Sequence, residues 1–282
     1  PREGACWAFI LGSFEFFVYG WYPDTEKWRV NLSFILLIFA IVGVLKETLP
    51  GKKYWLWFAA AFPFIAAWLL LGGLGLQPVE TSKLGGILLT IIIGVTGISF
   101  SLPIGIVLAL GRRSNMPALK TVCVLFIEFI RGVPLITLLF VASTMLTYFL
   151  PPGSTFDLLM RVLIMVTLFS SAYIAEVVRG GLQGLPPGQY EAADSLGLTY
   201  WKAHRLIILP QALKISIPGI VNTFIGLFKD TTLVLIIGMM DIVGLGRARL
   251  NDPYWLGLAG ELYLFIAIFF FICCFSMSRY SI

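Results

Sequence analysis

The sequence predicts an all-α, polytopic transmembrane protein, and three observations carry that prediction. Hydrophobic residues make up 59% of the chain and charged residues only 12%, about half the roughly 25% charged residues of a typical soluble domain. The mean hydropathy is +0.92. Uncharged runs cover residues 54–79, 85–111 and 132–156, each long enough to cross a hydrocarbon core about 30 Å thick. They are too long and too continuously apolar for outer-membrane strands.

Seven predicted spans follow from these runs and their neighbours. They cover residues 31–45, 54–76, 84–111, 121–150, 158–178, 212–240 and 257–278. An eighth apolar stretch, residues 5–19, is interrupted by Glu15 and fits either a short span or an interfacial helix. In the sixth predicted span the sequence KDTT, residues 229–232, divides the apolar run, which indicates a broken or re-entrant helix.

Lysine and arginine predict the orientation of the chain, because they are enriched in cytoplasmic loops. If the loops 46–53, 112–120 and 176–214 and the C-terminus lie in the cytoplasm, twelve of the twenty basic residues lie inside and six outside. Arg131 and Lys229 fall within or beside spans. The excess favours this orientation over its reverse, with the C-terminus in the cytoplasm.

One polar segment, residues 190–211, lies between these spans, with the sequence YEAADSLGLTYWKAHRLIILPQ. Its apolar residues recur at helical spacing, and Gly197 interrupts the pattern, which predicts two short helices at an angle. Ala192, Ala193 and Gly197 carry little or no side chain, so another surface can approach the backbone closely. Glu191 and Asp194 offer carboxylates to a basic partner. At this point an ordinary solvated loop helix remains an equal alternative.

The same segment matches the pattern E-A-A-x3-G-x9-I-x-L-P from Glu191 to Pro210. This pattern resembles the signature loop of bacterial ATP-binding cassette importer permeases. In that family the loop forms a coupling helix, which lies in a groove of the ATPase subunit and transmits its closure to the spans. The resemblance implies that the chain contacts an ATPase through residues 190–198, with these contact residues: Glu191, Ala192, Ala193, Asp194, Gly197 and Leu198.

The resemblance extends over residues 80–282. IEFIRGVPLITLLF (127–140), AYIAEVVRGGLQGLPPGQYEAA (172–193) and LFKDTTLVLIIGMMDI (227–242) resemble the polar amino acid uptake branch. The N-terminal segment is most similar to general L-amino acid permeases. The implied architecture is a five-span type I permease core at 80–282, with its coupling loop at 179–210. Residues 1–79 form two or three extra transmembrane segments.

The implied function is that of a permease subunit in an ATP-driven, binding-protein-dependent amino acid importer of the bacterial cytoplasmic (inner) membrane. The implied partners are an ATP-binding subunit dimer, a second and homologous permease subunit, and an extracytoplasmic substrate-binding protein. No phosphate-cradling G-x-x-x-x-G-K-[ST] motif occurs in the sequence. We therefore expect ATP and magnesium to bind to the partner ATPase, and no cofactor to bind to this chain.

Polar residues inside the spans are candidates for the substrate pathway, since charges in a membrane are costly and often line a pathway. The adjacent base and acid at 229–230 fit the two charges of an amino acid zwitterion. Helix capping and structural hydrogen bonds are the alternative roles. The candidates are Ser170, Ser171, Tyr173, Asn222, Thr223, Lys229, Asp230, Thr231 and Thr232.

Two further groups of polar residues are predicted outside that pathway, with a substrate site as the alternative for the first group. Glu128 and Arg131 are three residues apart and predict an ion pair on one helical face, which fixes a cytoplasmic elbow before Pro134. Asp241, Arg247 and Arg249 are predicted near the external face, either solvated or against the binding protein.

The sequence contains no nucleophile–base constellation and no metal-ligand spacing, so we expect neither a catalytic nor a metal site. Two other function classes stay open from the residues alone. One is a secondary transporter driven by an ion gradient, and the other is a structural membrane subunit.

Overall fold

A computed structural model describes residues 6–46, 48–145, 148 and 156–280. Its regular elements are helices, separated by short turns and 3-10 segments. The α-helices are α1 (Ala8–Tyr19), α2 (Lys27–Leu45), α3 (Lys52–Leu71), α4 (Gly86–Arg112), α5 (Pro117–Gly132), α6 (Leu135–Phe140), α7 (Leu158–Gln183), α8 (Pro187–Ser195), α9 (Tyr200–Ala203), α10 (Leu209–Asp230), α11 (Ile242–Leu250) and α12 (Ala259–Tyr280).

The described residues contain six helices that are long and apolar enough to cross a membrane, or seven if a bent pair counts as one span. Each of the six single spans begins or ends within three residues of a predicted one. The largest difference is at Tyr200–Ile237, which begins twelve residues before the predicted span, and α7 runs five residues further than predicted, to Gln183. The predicted all-α polytopic fold is confirmed.

The predicted span 121–150 is not one straight helix, and the elbow predicted before Pro134 is present as a sharp bend. The structure instead bends by 101° between α5 and the segment Leu135–Met145, whose last five residues form a π-helical turn. The bend lies at Val133 and Pro134, where proline removes a backbone donor and disfavours helical geometry in the residue before it. The part of the prediction beyond Met145 lies mostly outside the described residues.

The predicted interruption at residues 229–232 takes the form of a change in helix type. Helix α10 ends at Asp230, and a 3-10 segment, Thr231–Ile237, continues directly from it. Tyr200–Ile237 still forms one apolar segment of 38 residues. KDTT therefore tightens the backbone of the span and leaves it continuous.

The chain divides into two compact units, and the first contains Pro1–Ser99, Thr155–Leu159 and Thr231–Phe270. In this unit, residues at both ends of α1 contact residues at the starts of α12 and α4. The Cys6 amide donates to Glu261 Oε1 near the start of α12, over 3.0 Å. At the other end, Gly20 lies against Gly85 before α4. Twelve residues span about 18 Å, too little for a membrane crossing, so α1 lies along one end of the unit.

A buried arginine fastens the α2–α3 hairpin of this unit. Arg29 is 1% exposed, its Nε lies 2.7 Å from Glu26 Oε2, and its Nη1 donates to the Gln77 carbonyl over 2.7 Å. Tyr22 donates to the Leu70 carbonyl nearby. These bonds tie the start of α2 to the end of α3 and the loop that follows it.

Asp241, predicted at the external face, is fully buried in the first unit, so a solvated position is wrong. Its Oδ1 accepts from the Gly244 amide over 2.9 Å and caps α11. Its Oδ2 has no hydrogen-bond partner among the described residues. Burial raises the pKa of this carboxyl to about 6, against the lowering effect of the Gly244 amide.

We expect Asp241→Asn to remove a pH-dependent loss of stability. The pKa of Asp241 in the folded state, about 6, lies above its value in the unfolded state. The protonated Asp241 carboxyl therefore contributes fully to folding stability below about pH 4, and this contribution is lost as pH rises through 6. The loss is on the order of 3 kcal/mol, at about 1.4 kcal/mol per pKa unit. Asparagine keeps the cap. The measurement is the melting temperature in detergent between pH 4.5 and 8.

Asp241→Ala is the matched control, because it removes both the charge and the cap and should melt below Asp241→Asn at every pH. If the wild-type melting temperature changes with pH as little as that of Asp241→Asn, the raised pKa of Asp241 is contradicted.

The second unit contains Phe100–Ser154, Met160–Asp230 and Phe271–Ile282. In it, α7 and α10 pack closely through small residues. A Cβ atom on Gly181 would lie 2.0 Å from Ser216 Oγ and 2.5 Å from the Ala212 carbonyl oxygen, and one on Gly219 would lie 2.7 Å from Val177. Small residues allow such close approach of helix backbones in membranes. The contact fixes α10 against the helix that leads into the polar segment.

Candidate coupling element and membrane pocket

The polar segment forms the two short helices that Gly197 predicts. Helix α8 begins with Pro187 in its first turn, ends at Ser195 and is followed by Gly197 at φ +65°. This left-handed conformation suits glycine, which has no Cβ. Helix α9 then begins at Tyr200 and runs through a π-helical turn, His204–Ile208, into α10. We call residues 187–208 the coupling element.

The outer surface of the coupling element combines small, acidic and apolar residues. Glu191, Ala192 and Asp194 are exposed, and Leu196 and Trp201 are each 72% exposed. Helices that remain in water seldom expose large apolar side chains together in this way. The surface is therefore suited to contact with another protein.

Two of the predicted contact residues differ in position from the rest. Ala193 is 1% exposed, so it packs inside the coupling element and does not face outward. Leu198 is half-buried, and its amide donates to the Ala193 carbonyl. A Cβ atom on Gly197 would have no heavy atom within 4 Å, so there is open space around this position.

Tyr190 fastens the coupling element to the helices on either side. Its hydroxyl donates to the Leu182 carbonyl near the end of α7 over 3.0 Å. Arg113, one residue after α4, donates to the same hydroxyl over 3.2 Å, and its guanidinium lies 5.6 Å from the ring centre. Gln211 also donates to Gln189 over 2.9 Å and joins the starts of α10 and α8. These contacts join the coupling element to α7, to the start of α10 and to the residue that follows α4.

The inner face of the coupling element encloses a cavity of about 230 Å³. Aromatic rings form much of its wall, with the ring centroids of Tyr200 and His204 3.9 Å apart. The lining residues are Arg113, Tyr190, Ala193, Asp194, Tyr200, Ala203, His204 and Ile208.

A second cavity, of about 280 Å³, lies between α7 and α10, and we call it the membrane pocket. It contains a carboxylate, an amide and hydroxyl groups among apolar walls, which is the composition of a small-molecule site. Its lining residues are Phe169, Ser170, Tyr173, Asn222, Thr223, Gly226, Leu227 and Asp230.

Ser170 is the pocket residue with the clearest unused hydrogen-bonding capacity. It is 2% exposed, and its hydroxyl has no hydrogen-bond partner among the described residues. Unsatisfied buried polar groups are uncommon in folded proteins and often mark a functional role or an unseen partner. Thr223, by contrast, donates to the Gly219 carbonyl of its own helix over 2.9 Å.

The pocket contains five of the nine candidate pathway residues. Ser171 is fully buried and donates to the Leu168 carbonyl over 2.7 Å, so its hydroxyl serves its own helix. Lys229 is exposed and does not line the pocket. Thr231 and Thr232 belong to the other compact unit. Of the predicted pair Lys229 and Asp230, only Asp230 therefore lines the pocket, where it lies among neutral polar residues.

The predicted ion pair between Glu128 and Arg131 is wrong, because each residue has another partner. Glu128 Oε1 lies 2.9 Å from Arg112 Nη1, and Arg131 Nη1 lies 3.8 Å from Glu176 Oε2. The i, i+3 spacing permits a pair within α5, but helices α4 and α7 present opposite charges to the same residues. The elbow is therefore joined to two other helices.

Sequence reasoning missed Glu176, Arg112 and Tyr190 as functional candidates. A signal for Glu176 was present, because it lies in an apolar run three residues before Arg179, and a charge inside a span is a candidate by default. The partners of Glu176 on α4 and α5 are 64 and 45 residues away in the chain, and no local pattern connects them.

Comparison with known proteins identifies relatives along the whole chain. A family model described as "Binding-protein-dependent transport system inner membrane component" matches residues 101–280. The inner membrane amino-acid ABC transporter permease protein YhdY of Escherichia coli (strain K12) is 52% identical over 99% of this chain and 77% of the relative. The glutamate/glutamine/aspartate/asparagine transport system permease protein BztC of Rhodobacter capsulatus is 46% identical with the same coverage.

Solved structures share the fold of the same part of the chain. A chain in the crystal structure of an amino acid ABC transporter with histidines has a TM-score of 0.60 and 31% sequence identity, covering 68% of this chain and 87% of that one. A chain of an inward-facing MetNI methionine ABC transporter has a TM-score of 0.53 and 20% sequence identity, covering 69% of this chain and 90% of that one. At this identity the similarity supports the fold and nothing further.

Proposed function

Because the chain belongs to the family of binding-protein-dependent transport system inner membrane components, we propose that it is the permease subunit of an ATP-driven amino acid importer. The names of the two relatives with the highest identity above both describe amino acid permeases. The observation that carries the proposal is the coupling element, which presents small, acidic and apolar side chains and is fastened to α4, α7 and α10.

The partners follow from the division of work in such an importer. An ATPase dimer binds ATP and magnesium, closes, and displaces the exposed face of α8. A second, homologous permease subunit completes the pathway, and a substrate-binding protein delivers the amino acid from outside. The complex lies in the bacterial cytoplasmic membrane with the coupling element and the C-terminus in the cytoplasm, as the distribution of lysine and arginine favours.

The membrane pocket is this subunit's share of the substrate pathway. Asp230 provides a carboxylate for the substrate ammonium group, and Ser170, Asn222 and Thr223 provide neutral donors and acceptors. Substrate binding also provides a partner for the Ser170 hydroxyl, which has none among the described residues. Lys229, Ser171, Thr231 and Thr232 act outside the pocket, in the helix and its transition to the 3-10 segment.

The test of the function is uptake by the complete complex in proteoliposomes. We expect uptake of a labelled amino acid to require ATP inside the vesicles and the binding protein outside. Uptake driven by a proton or sodium gradient without ATP would contradict the proposal and favour a secondary transporter. Normal ATP-driven uptake by a complex lacking this chain would favour a structural subunit.

Ser170→Ala tests the pocket, with its neighbour as control. Loss of one hydrogen bond costs about 1 kcal/mol, so we expect the half-saturating substrate concentration for uptake to rise about fivefold. Ser171→Ala removes a hydroxyl that bonds within its own helix, so it should leave that concentration within about twofold of wild type. Equal effects of the two substitutions would argue against a direct substrate contact by Ser170.

A further inference from the structure

Glu176 is the centre of a charge cluster that joins three helices. Its Oε1 lies 2.5 Å from Arg112 Nη1 of α4, and its Oε2 accepts from Arg179 Nε and Nη2 of α7 over 3.0 and 2.8 Å. Arg131 of α5 approaches the same Oε2 at 3.8 Å. The Glu176 side chain is only 15% exposed, less than that of any of the three arginines.

The cluster depends on this one carboxylate. Glu128, its other acid, is 55% exposed, and among the described residues its ion pair is with Arg112. Removal of the Glu176 charge leaves Arg112, Arg131 and Arg179 close together with one exposed acid. Partly buried like charges repel strongly, so α4, α5 and α7 lose the interaction that holds their charged ends together.

On one side, the cluster lies next to the coupling element. Arg112 precedes Arg113, the residue that donates to Tyr190 of α8. Glu176 and Arg179 lie on the final turns of α7, a few residues before Leu182, whose carbonyl accepts from Tyr190. Only residues 184–186 separate α7 from α8. A displacement of α8 therefore reaches α4 and α7, two of the three helices that hold the cluster.

On the other side, the cluster reaches the membrane pocket. The Arg131 guanidinium lies 5.5 Å from the centre of the Tyr173 ring, within the range of a cation–π interaction. Tyr173 lines the pocket and lies 4.9 Å, ring to ring, from Phe169, another lining residue. The Glu176 carboxylate thus holds Arg131 in place, and Arg131 in turn holds Tyr173 in the wall of the pocket.

We propose that Glu176 is a positioning residue that couples displacement of α8 to the membrane pocket, by holding Arg112, Arg131 and Arg179 together. The inference rests on the proposed function and extends it to a transmission route. Physical contact alone does not establish energetic coupling, and the distinguishing property is the ratio of substrate transported to ATP hydrolysed. A merely structural residue changes the amount of assembled complex and leaves that ratio unchanged.

The experiment compares Glu176→Gln with wild type in proteoliposomes containing the purified, assembled complex. Binding-protein-stimulated ATP hydrolysis and uptake of labelled amino acid are measured in the same vesicles. We expect uptake per ATP hydrolysed to fall at least fivefold in Glu176→Gln and to return to within about twofold in Glu176→Asp. Glu128→Gln, which removes the more exposed acid of the same cluster, should keep the wild-type ratio within about twofold.

A ratio in Glu176→Gln within twofold of wild type overturns the inference. If that variant yields no assembled complex, Arg131→Gln, which removes the longest of the cluster's contacts, takes its place. A fall of at least threefold supports the inference, and an unchanged ratio overturns it. Wild-type vesicles separate the two proposals: no ATP-dependent uptake there overturns the proposed function and this inference together, whereas normal uptake with an unchanged variant ratio overturns the inference alone.

Discussion

Gly197→Trp should reduce recovery of the ATPase subunits with this chain at least tenfold. Residue 197 has φ +65°, and no heavy atom lies within 4 Å of an added Cβ, so an indole ring there projects outward. In the importer that we propose, that space belongs to the ATPase surface, which has to approach α8 closely. The measurement is the ratio of ATPase to permease after affinity purification of the complex from membranes.

Gly197→Asn is the matched control for backbone strain. Asparagine tolerates the left-handed conformation better than most residues with a side chain, and its side chain is small. We expect it to retain ATPase recovery within about twofold. Wild-type recovery with Gly197→Trp would mean that another surface docks the ATPase.

Gly181→Ala should disrupt the second unit, whereas Gly180→Ala should not. An alanine Cβ at 181 would lie 2.0 Å from Ser216 Oγ and 2.5 Å from the Ala212 carbonyl oxygen, while one at 180 meets no heavy atom within 4 Å. Overpacking of this kind costs about 1–3 kcal/mol. Alanine within a helix is otherwise favoured over glycine by about 0.5–1 kcal/mol.

The measurement is the melting temperature of each variant in detergent, together with ATP-driven uptake. We expect Gly181→Ala to melt roughly 5 °C below wild type and to lose most of its uptake, because α7 and α10 form both the crossing and the pocket walls. Gly180→Ala should melt at or above the wild-type temperature. If both variants lose melting temperature and uptake to a similar extent, the two glycines are needed for helix flexibility and not for close packing of α7 on α10.

Much of the fold could be predicted from the sequence, because each membrane span carries its own signal in 20 or so apolar residues. Gly197 likewise predicted the division of the coupling element, since a single residue imposes the left-handed turn. The bend at Val133 and Pro134 lies where the sequence predicts an elbow, but its sharpness was harder to predict. The apolar run continues through it, and proline is tolerated within other spans here, at Pro63, Pro103 and Pro218.

The ion partners could not be predicted, because they are long-range. Spacing within α5 suggested that Glu128 pairs with Arg131, yet both find partners on α4 and α7. Similarly, the KDTT sequence marked Lys229 and Asp230 equally, and only the packing of α7 on α10 separates the residue that lines the pocket from the one that does not. Local patterns identify polar residues, whereas tertiary contacts decide their roles.

The boundary between N-terminal segments and permease core near residue 80 stays a prediction.

The most direct measurement of ATP-driven coupling is the accessibility of a cysteine placed in the membrane pocket. Gly226 lines the pocket, and a Cβ atom there meets no heavy atom within 4 Å. Gly226→Cys would be made in a chain whose four native cysteines, Cys6, Cys123, Cys273 and Cys274, are replaced. Leu74→Cys, at a position 95% exposed, is the control for labelling in every state.

The label is a membrane-impermeant thiol reagent applied outside proteoliposomes, in which complexes with inward-facing ATPase subunits are selected. With binding protein, substrate and vanadate-trapped ATP, we expect labelling of Gly226→Cys to rise at least fivefold, while Leu74→Cys stays constant. Labelling of Gly226→Cys that is the same with and without ATP, or that changes with an ion gradient alone, would contradict the account.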